Sequence, residues 1–86
     1  MRLEVRKPTA QERALASSWP VWEKEVSTFP WRYAEKETCL ILEGRVTVRT
    51  PKGETSLGPG DWVVFPEGLE CTWIVEELVR KHYRFG

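Results

Sequence analysis

The sequence has no asparagine and only one glutamine (Gln11), one methionine (Met1) and one histidine (His82). A single histidine lying outside every motif supports no Ser-His-Asp arrangement, and no glycine-rich phosphate loop of known spacing is present. Few heat-labile side chains beside abundant Glu, Arg and Lys is the composition of many thermophile proteins, although a GC-rich genome produces the same preference for Arg. Two cysteines, Cys39 and Cys71, are too few for a disulfide scaffold and are expected as free thiols. No apolar run exceeds four residues (Cys39 to Leu42, Trp62 to Phe65), far below the roughly 20 of a membrane span. The charge excess that nucleic-acid binding draws on is also missing: thirteen Lys and Arg balance thirteen Asp and Glu. The one basic cluster, Arg80, Lys81 and Arg84 around His82, reads as the solvated face of a last strand. The first residues alternate apolar and charged and contain no signal-peptide core, so a cytoplasmic address is expected.

What is present is one small globular domain. Eighty-six residues allow a single core, and an aromatic content of 12% excludes a disordered chain. After residue 43, Glu43-Gly44, Lys52-Gly53, Gly58-Pro59-Gly60-Asp61 and Pro66-Glu67-Gly68 read as turns. Short β-branched or alternating runs lie between them, Arg45 to Arg49 being a period-two strand with Val46 and Val48 on one face. Strands at this spacing predict a sandwich or barrel. Thr38 to Leu42 carries apolar side chains on both faces. One face must enter the core and the other needs cover from the N-terminal segment or a second subunit. Near the start, Thr9 and Glu12 fit a capping box for a helix over Ala10 to Ser17, with Ala14 and Leu15 available to pack. Trp19-Pro20 stops it, and residues 21–34 return to strand character with a break at Phe29-Pro30. The expected organisation is one domain over 1–86, with a strand-and-helix arm over 1–20 and a barrel over 21–86.

Two spacings carry more specific information. Glu37, six residues, then Gly44 is one; Gly60, five residues, Pro66, one residue, Gly68, two residues, Cys71, three residues, Val75 is the other. In this the chain resembles the cupins, small β-barrels marked by two such motifs, and a small single-domain (RmlC-like) member in particular. Trp19 to Glu25, Glu37 to Gly44 and Val79 to Tyr83 are similar to the cupin modules of ureidoglycine aminohydrolase, a manganese-dependent enzyme. The resemblance implies an all-β, cupin-type jelly-roll β-barrel with a short N-terminal helix. It also implies a metal site at the positions of Trp31, Tyr33, Glu37 and Cys71, where metal-binding cupins carry His, His, Glu and His. Of these four only Glu37 keeps the usual ligand, and Trp has no lone pair to give a metal. That activity therefore does not carry over, and neither a metal nor another cofactor is expected.

Alternation along strands then sketches a pocket. Cys39 and Ile41 share the face of Glu37; Trp73 and Val75 share that of Cys71; Trp31 and Tyr33 complete the mouth. The candidate ligand-binding residues are thus Trp31, Tyr33, Glu37, Cys39, Cys71 and Trp73, although the aromatics would also serve as plain barrel core. A carboxylate in such a barrel needs a partner, for which Tyr33, Arg32 and Lys36 are the candidates. The leading expectation is a metal-free barrel that binds a small molecule or serves structurally. The alternatives are a metal-assisted hydrolase or isomerase using Tyr33, Glu37 and Cys71, and a dimeric interaction module. A homodimer is expected through the outer face at Leu40 and Leu42; no nucleic-acid or membrane partner is expected.

Overall fold

Two long strands organise the molecule. The computed structural model describes residues 2–86. In chain order it contains β1 (Glu4–Arg6), α1 (Ala10–Ala16), β2 (Val21–Lys24), β3 (Ser27–Arg32), β4 (Glu37–Thr50), β5 (Gly53–Leu57), β6 (Trp62–Phe65) and β7 (Glu70–Phe85). Strands β4 and β7 pair antiparallel along most of their lengths, from Glu37 opposite Phe85 to Arg49 opposite Thr72. Each changes its outer neighbour half-way. The first half of β4 pairs with β6 and the second half with β5. The first half of β7 pairs with β3 and the second half with β2. With β1 flanking β6, one layer reads β1-β6-β4-β7-β2 and the other β5-β4-β7-β3, joined through the bend in the two shared strands. This is the expected all-β jelly-roll barrel with its short N-terminal helix.

The bend corrects one expected turn. Glu43-Gly44 does not end a strand; β4 runs through it, with register shifts between Ile41 and Val46 that mark a β-bulge. Gly44 has φ +93°, and a Cβ there would lie 2.1 Å from the Leu78 carbonyl oxygen of β7. Only glycine lets the two central strands approach this closely. The expected break at Phe29-Pro30 is likewise absent, because β3 runs through both residues and the interruption falls at Glu25-Val26. Pro30 is tolerated because β3 pairs with β7 alone, on one side, so its missing N–H faces away from any ladder.

The core between the layers holds Cys39, Ile41, Val46, Val48, Leu57, Val63, Phe65, Leu69, Cys71, Trp73, Val75 and Val79. The second apolar face of β4 is covered within the chain. Helix α1, with both arms of its Thr9/Glu12 capping box formed, brings Ala16 against Leu40 and Trp62, and Trp19, Leu42 and Val64 pack around them. It is Ala16, fully buried, that docks the helix, whereas Leu15 is 52% exposed. No helix among the described residues is long and apolar enough to cross a membrane.

Candidate functional site

In β7 Cys71, Trp73, Val75 and Val79 face inward while Glu77 is exposed, and past Val79 alternation brings in Lys81, Tyr83 and Phe85. Lys81 is 5% exposed and lies opposite Ile41 in the ladder. It is therefore not part of the solvated basic face expected for residues 80–84. Its Nζ donates to Glu37 Oε2 at 2.5 Å, and both side chains are buried. Glu37 thus finds its partner across the barrel; the expected candidates Arg32 and Lys36 are exposed, and among the described residues the bond to Glu37 comes from Lys81 and not from the Tyr33 hydroxyl. The ammonium also lies 4.7 Å from the ring centre of Trp73, 4.9 Å from that of Trp22 and 5.9 Å from that of Phe65. Among the described residues Glu37 is the one hydrogen-bond acceptor for Nζ, and the rest of the cation rests on aromatic faces. Such contacts contribute roughly 0.5–2 kcal/mol each, more when desolvated.

A cavity of about 230 Å³ opens above this pair. It is lined by Trp22, Phe29, Trp31, Tyr33, Glu37, Trp73, Lys81, Tyr83 and Phe85. Every lining residue is either aromatic or a member of the ion pair, so seven of the chain's ten aromatic residues gather here. Trp31 and Phe85, 49% and 46% exposed, form the mouth; Trp73, Glu37 and Lys81 form the floor. The walls brace one another. Phe29 stacks on Trp73, which Trp22 meets edge-on, and Tyr33 stacks on Phe65 at 4.6 Å.

Tyr33 accepts from Trp73 Nε1 at 3.0 Å. Burial, reinforced by the Glu37 carboxylate, pushes its hydroxyl far above the ordinary phenol range, so it keeps its proton. Among the described residues nothing accepts that proton. The floor therefore offers donors from Lys81 and Tyr33 and an acceptor from Glu37.

Of the six candidate residues, Trp31, Tyr33, Glu37 and Trp73 line the cavity, while Cys39 and Cys71 lie in the core beside it. Both are free thiols. Burial pushes Cys39 up to about 12 and Cys71 up to about 11, the nearby Lys81 offsetting only part of this. His82 is half-buried, and its Nδ1 sits 2.9 Å from the Trp19 carbonyl oxygen, away from the cavity. Trp22, Phe29, Lys81, Tyr83 and Phe85 also line the cavity and are not among the residues that the sequence motifs mark. The signal was present for three of them, since counting on from Cys71 and Trp73 in steps of two reaches 81, 83 and 85.

The donors at the positions that the cupin motifs mark do not fit a metal. Trp31 has no lone pair, Glu37 is tied to an ammonium, and Cys71 lies in the core beside the cavity, not among its lining residues. No group of three or more His, Cys, Asp or Glu among the described residues could hold an ion.

Comparison with known proteins agrees with this architecture. Residues 11–83 match the EutQ-like cupin domain family. The chain is a cupin of that family. A solved DUF861 family protein from Thermotoga maritima is 46% identical with a TM-score of 0.92, the match covering 99% of this chain and 100% of that one. A DUF861 family protein of unknown function from Pseudomonas syringae is 26% identical, with a TM-score of 0.70 over 77% of this cupin and 29% of its own length. The EutQ protein of Clostridium difficile shares the fold at 20% identity and a TM-score of 0.70 over 76% of this chain, which spans about half of that protein. No curated protein matches this cupin.

Proposed function

We propose that this cupin is a metal-free small-molecule-binding barrel, its ligand a flat, mostly apolar molecule with a carbonyl at one edge. The observation that carries the reading is the Lys81–Glu37 pair at the floor of the aromatic cavity. Glu37 is the one position at which the cupin metal motif keeps its carboxylate, and an ammonium meets that carboxylate at 2.5 Å. The local charge is balanced without an ion. A wholly aromatic wall favours a flat ligand through stacking and area burial, and the Lys81 and Tyr33 donors favour a carbonyl acceptor. A ligand carboxylate would have to compete with Glu37 for the ammonium, so a neutral molecule fits better.

The single domain over 1–86 and the cytoplasmic setting belong to this reading, the latter supported by two thiols that stay unpaired. The Leu40–Leu42 face through which a homodimer is expected is covered by α1, Trp19 and Trp62, so a dimer would use another face. The test is a tryptophan-fluorescence titration, since Trp22, Trp31 and Trp73 all line the cavity. Small aromatic carbonyl compounds should quench with saturation, and aliphatic carboxylates of similar size should not. Equal, unsaturable quenching by both, or none by either, would refute the reading.

A further inference from the structure

We propose that Lys81 is a covalent nucleophile, condensing with the carbonyl carbon of an aldehyde bound in the cavity to form an iminium; this rests on the binding reading above. Lys81 is the one lysine at the cavity, and its amine stands at the floor, where the carbonyl edge of a ligand would arrive. Glu37, at 2.5 Å, is placed to carry every proton the condensation needs. It takes one from the ammonium, and the freed electron pair of Nζ forms the N–C bond while the C=O π pair moves to oxygen. Glu37 returns that proton to the oxygen, giving a protonated carbinolamine. It then removes a second proton from nitrogen and delivers it to the hydroxyl. Water leaves as the nitrogen pair closes the C=N bond. Ammonium and aldehyde thus become iminium and water, with no change of oxidation state and no other reactant. A cation stands at the same place before and after. Trp73 and Trp22, which hold the ammonium at 4.7 and 4.9 Å, therefore also hold the product. The remaining lysines lie outside the cavity and lack this setting.

The experiment uses the full chain with substoichiometric benzaldehyde and cyanoborohydride, which fixes an iminium as a secondary amine, followed by peptide mapping by mass spectrometry. Lys81 should be labelled about tenfold or more faster than Lys36 or Lys52, through proximity and proton relay. Glu37→Gln should slow labelling at Lys81 and leave the exposed lysines unchanged. Lys81→Arg, with circular dichroism as the check on folding, should leave only the slow surface labelling. Labelling of Lys81 no faster than Lys36 and Lys52 would overturn the inference. Quenching by benzaldehyde without reductant separates the two ideas. If it saturates while Lys81 stays unlabelled, binding stands and the nucleophile falls; if neither occurs, both fall.

Discussion

At the scale of single residues, the molecule places one buried charge pair where its neighbours can offer little but aromatic faces. Removing one member leaves the other buried and uncompensated. Lys81→Met should therefore cost roughly 3 kcal/mol, the low end for a broken buried pair because the open cavity admits water. Lys81→Met combined with Glu37→Gln should recover part of that loss, since no bare charge remains. Urea unfolding of the four-protein cycle measures the coupling; strictly additive losses would contradict the pairing. The thiols make a second case. With Cys39 held at about 12 and Cys71 at about 11, neither forms appreciable thiolate near neutral pH. A chromogenic disulfide reagent at pH 8 should react slowly with the native protein and promptly with both cysteines in denaturant. Rapid native reaction would contradict the burial.

At the scale of elements, two features deserve separate tests. The bulge in β4 depends on Gly44, where φ is +93° and a Cβ would strike the Leu78 carbonyl at 2.1 Å. At Gly53, φ is +128° and nothing lies within 4 Å of an added Cβ. Gly53→Ala should cost about 1 kcal/mol of backbone strain, and Gly44→Ala should cost clearly more than the upper figure of about 3 kcal/mol for strain alone. Thermal melts of the two variants compare them directly, and equal losses would refute the close approach of β4 and β7. The second feature is the start of α1. Glu12 accepts from the Thr9 amide and from both ends of the Arg6 guanidinium. Led by the Arg6 contact, these bonds hold its carboxyl at about 2 against an ordinary 4.5. A depressed acid stabilises the fold above its unfolded pKa, and that contribution vanishes as pH falls from about 4.5 through about 2. Glu12→Gln should lower the melting temperature near pH 7 and have little effect near pH 2; the reverse dependence would exclude the contact.

At the scale of the whole molecule, the fold was legible because its signals are local. The glycine and proline punctuation, the Thr9/Glu12 box and the motif spacings each depend on a few adjacent residues. What was illegible arises from pairing between distant segments. Gly44 reads as a turn in isolation, and only the arrival of β7 turns it into a bulge. Lys81 sits among Arg80, His82 and Arg84 and so reads as surface. It turns inward because β7 continues as one strand to Phe85, a continuity that no turn residue announces. Glu37 reads from sequence as a carboxylate needing a partner, yet that partner lies 44 positions away. The cover for Leu40 and Leu42 came from α1, one of the two sources that the sequence left open.

On the metal-free reading, Lys81 supplies at Glu37 the positive charge that a metal supplies in metal-binding cupins. Elemental analysis of protein purified without chelators, after equilibration with manganese, iron, nickel and zinc, tests it most directly. Metal far below one equivalent is expected in the unaltered protein. One equivalent that is retained through desalting and lost in Glu37→Gln would contradict it.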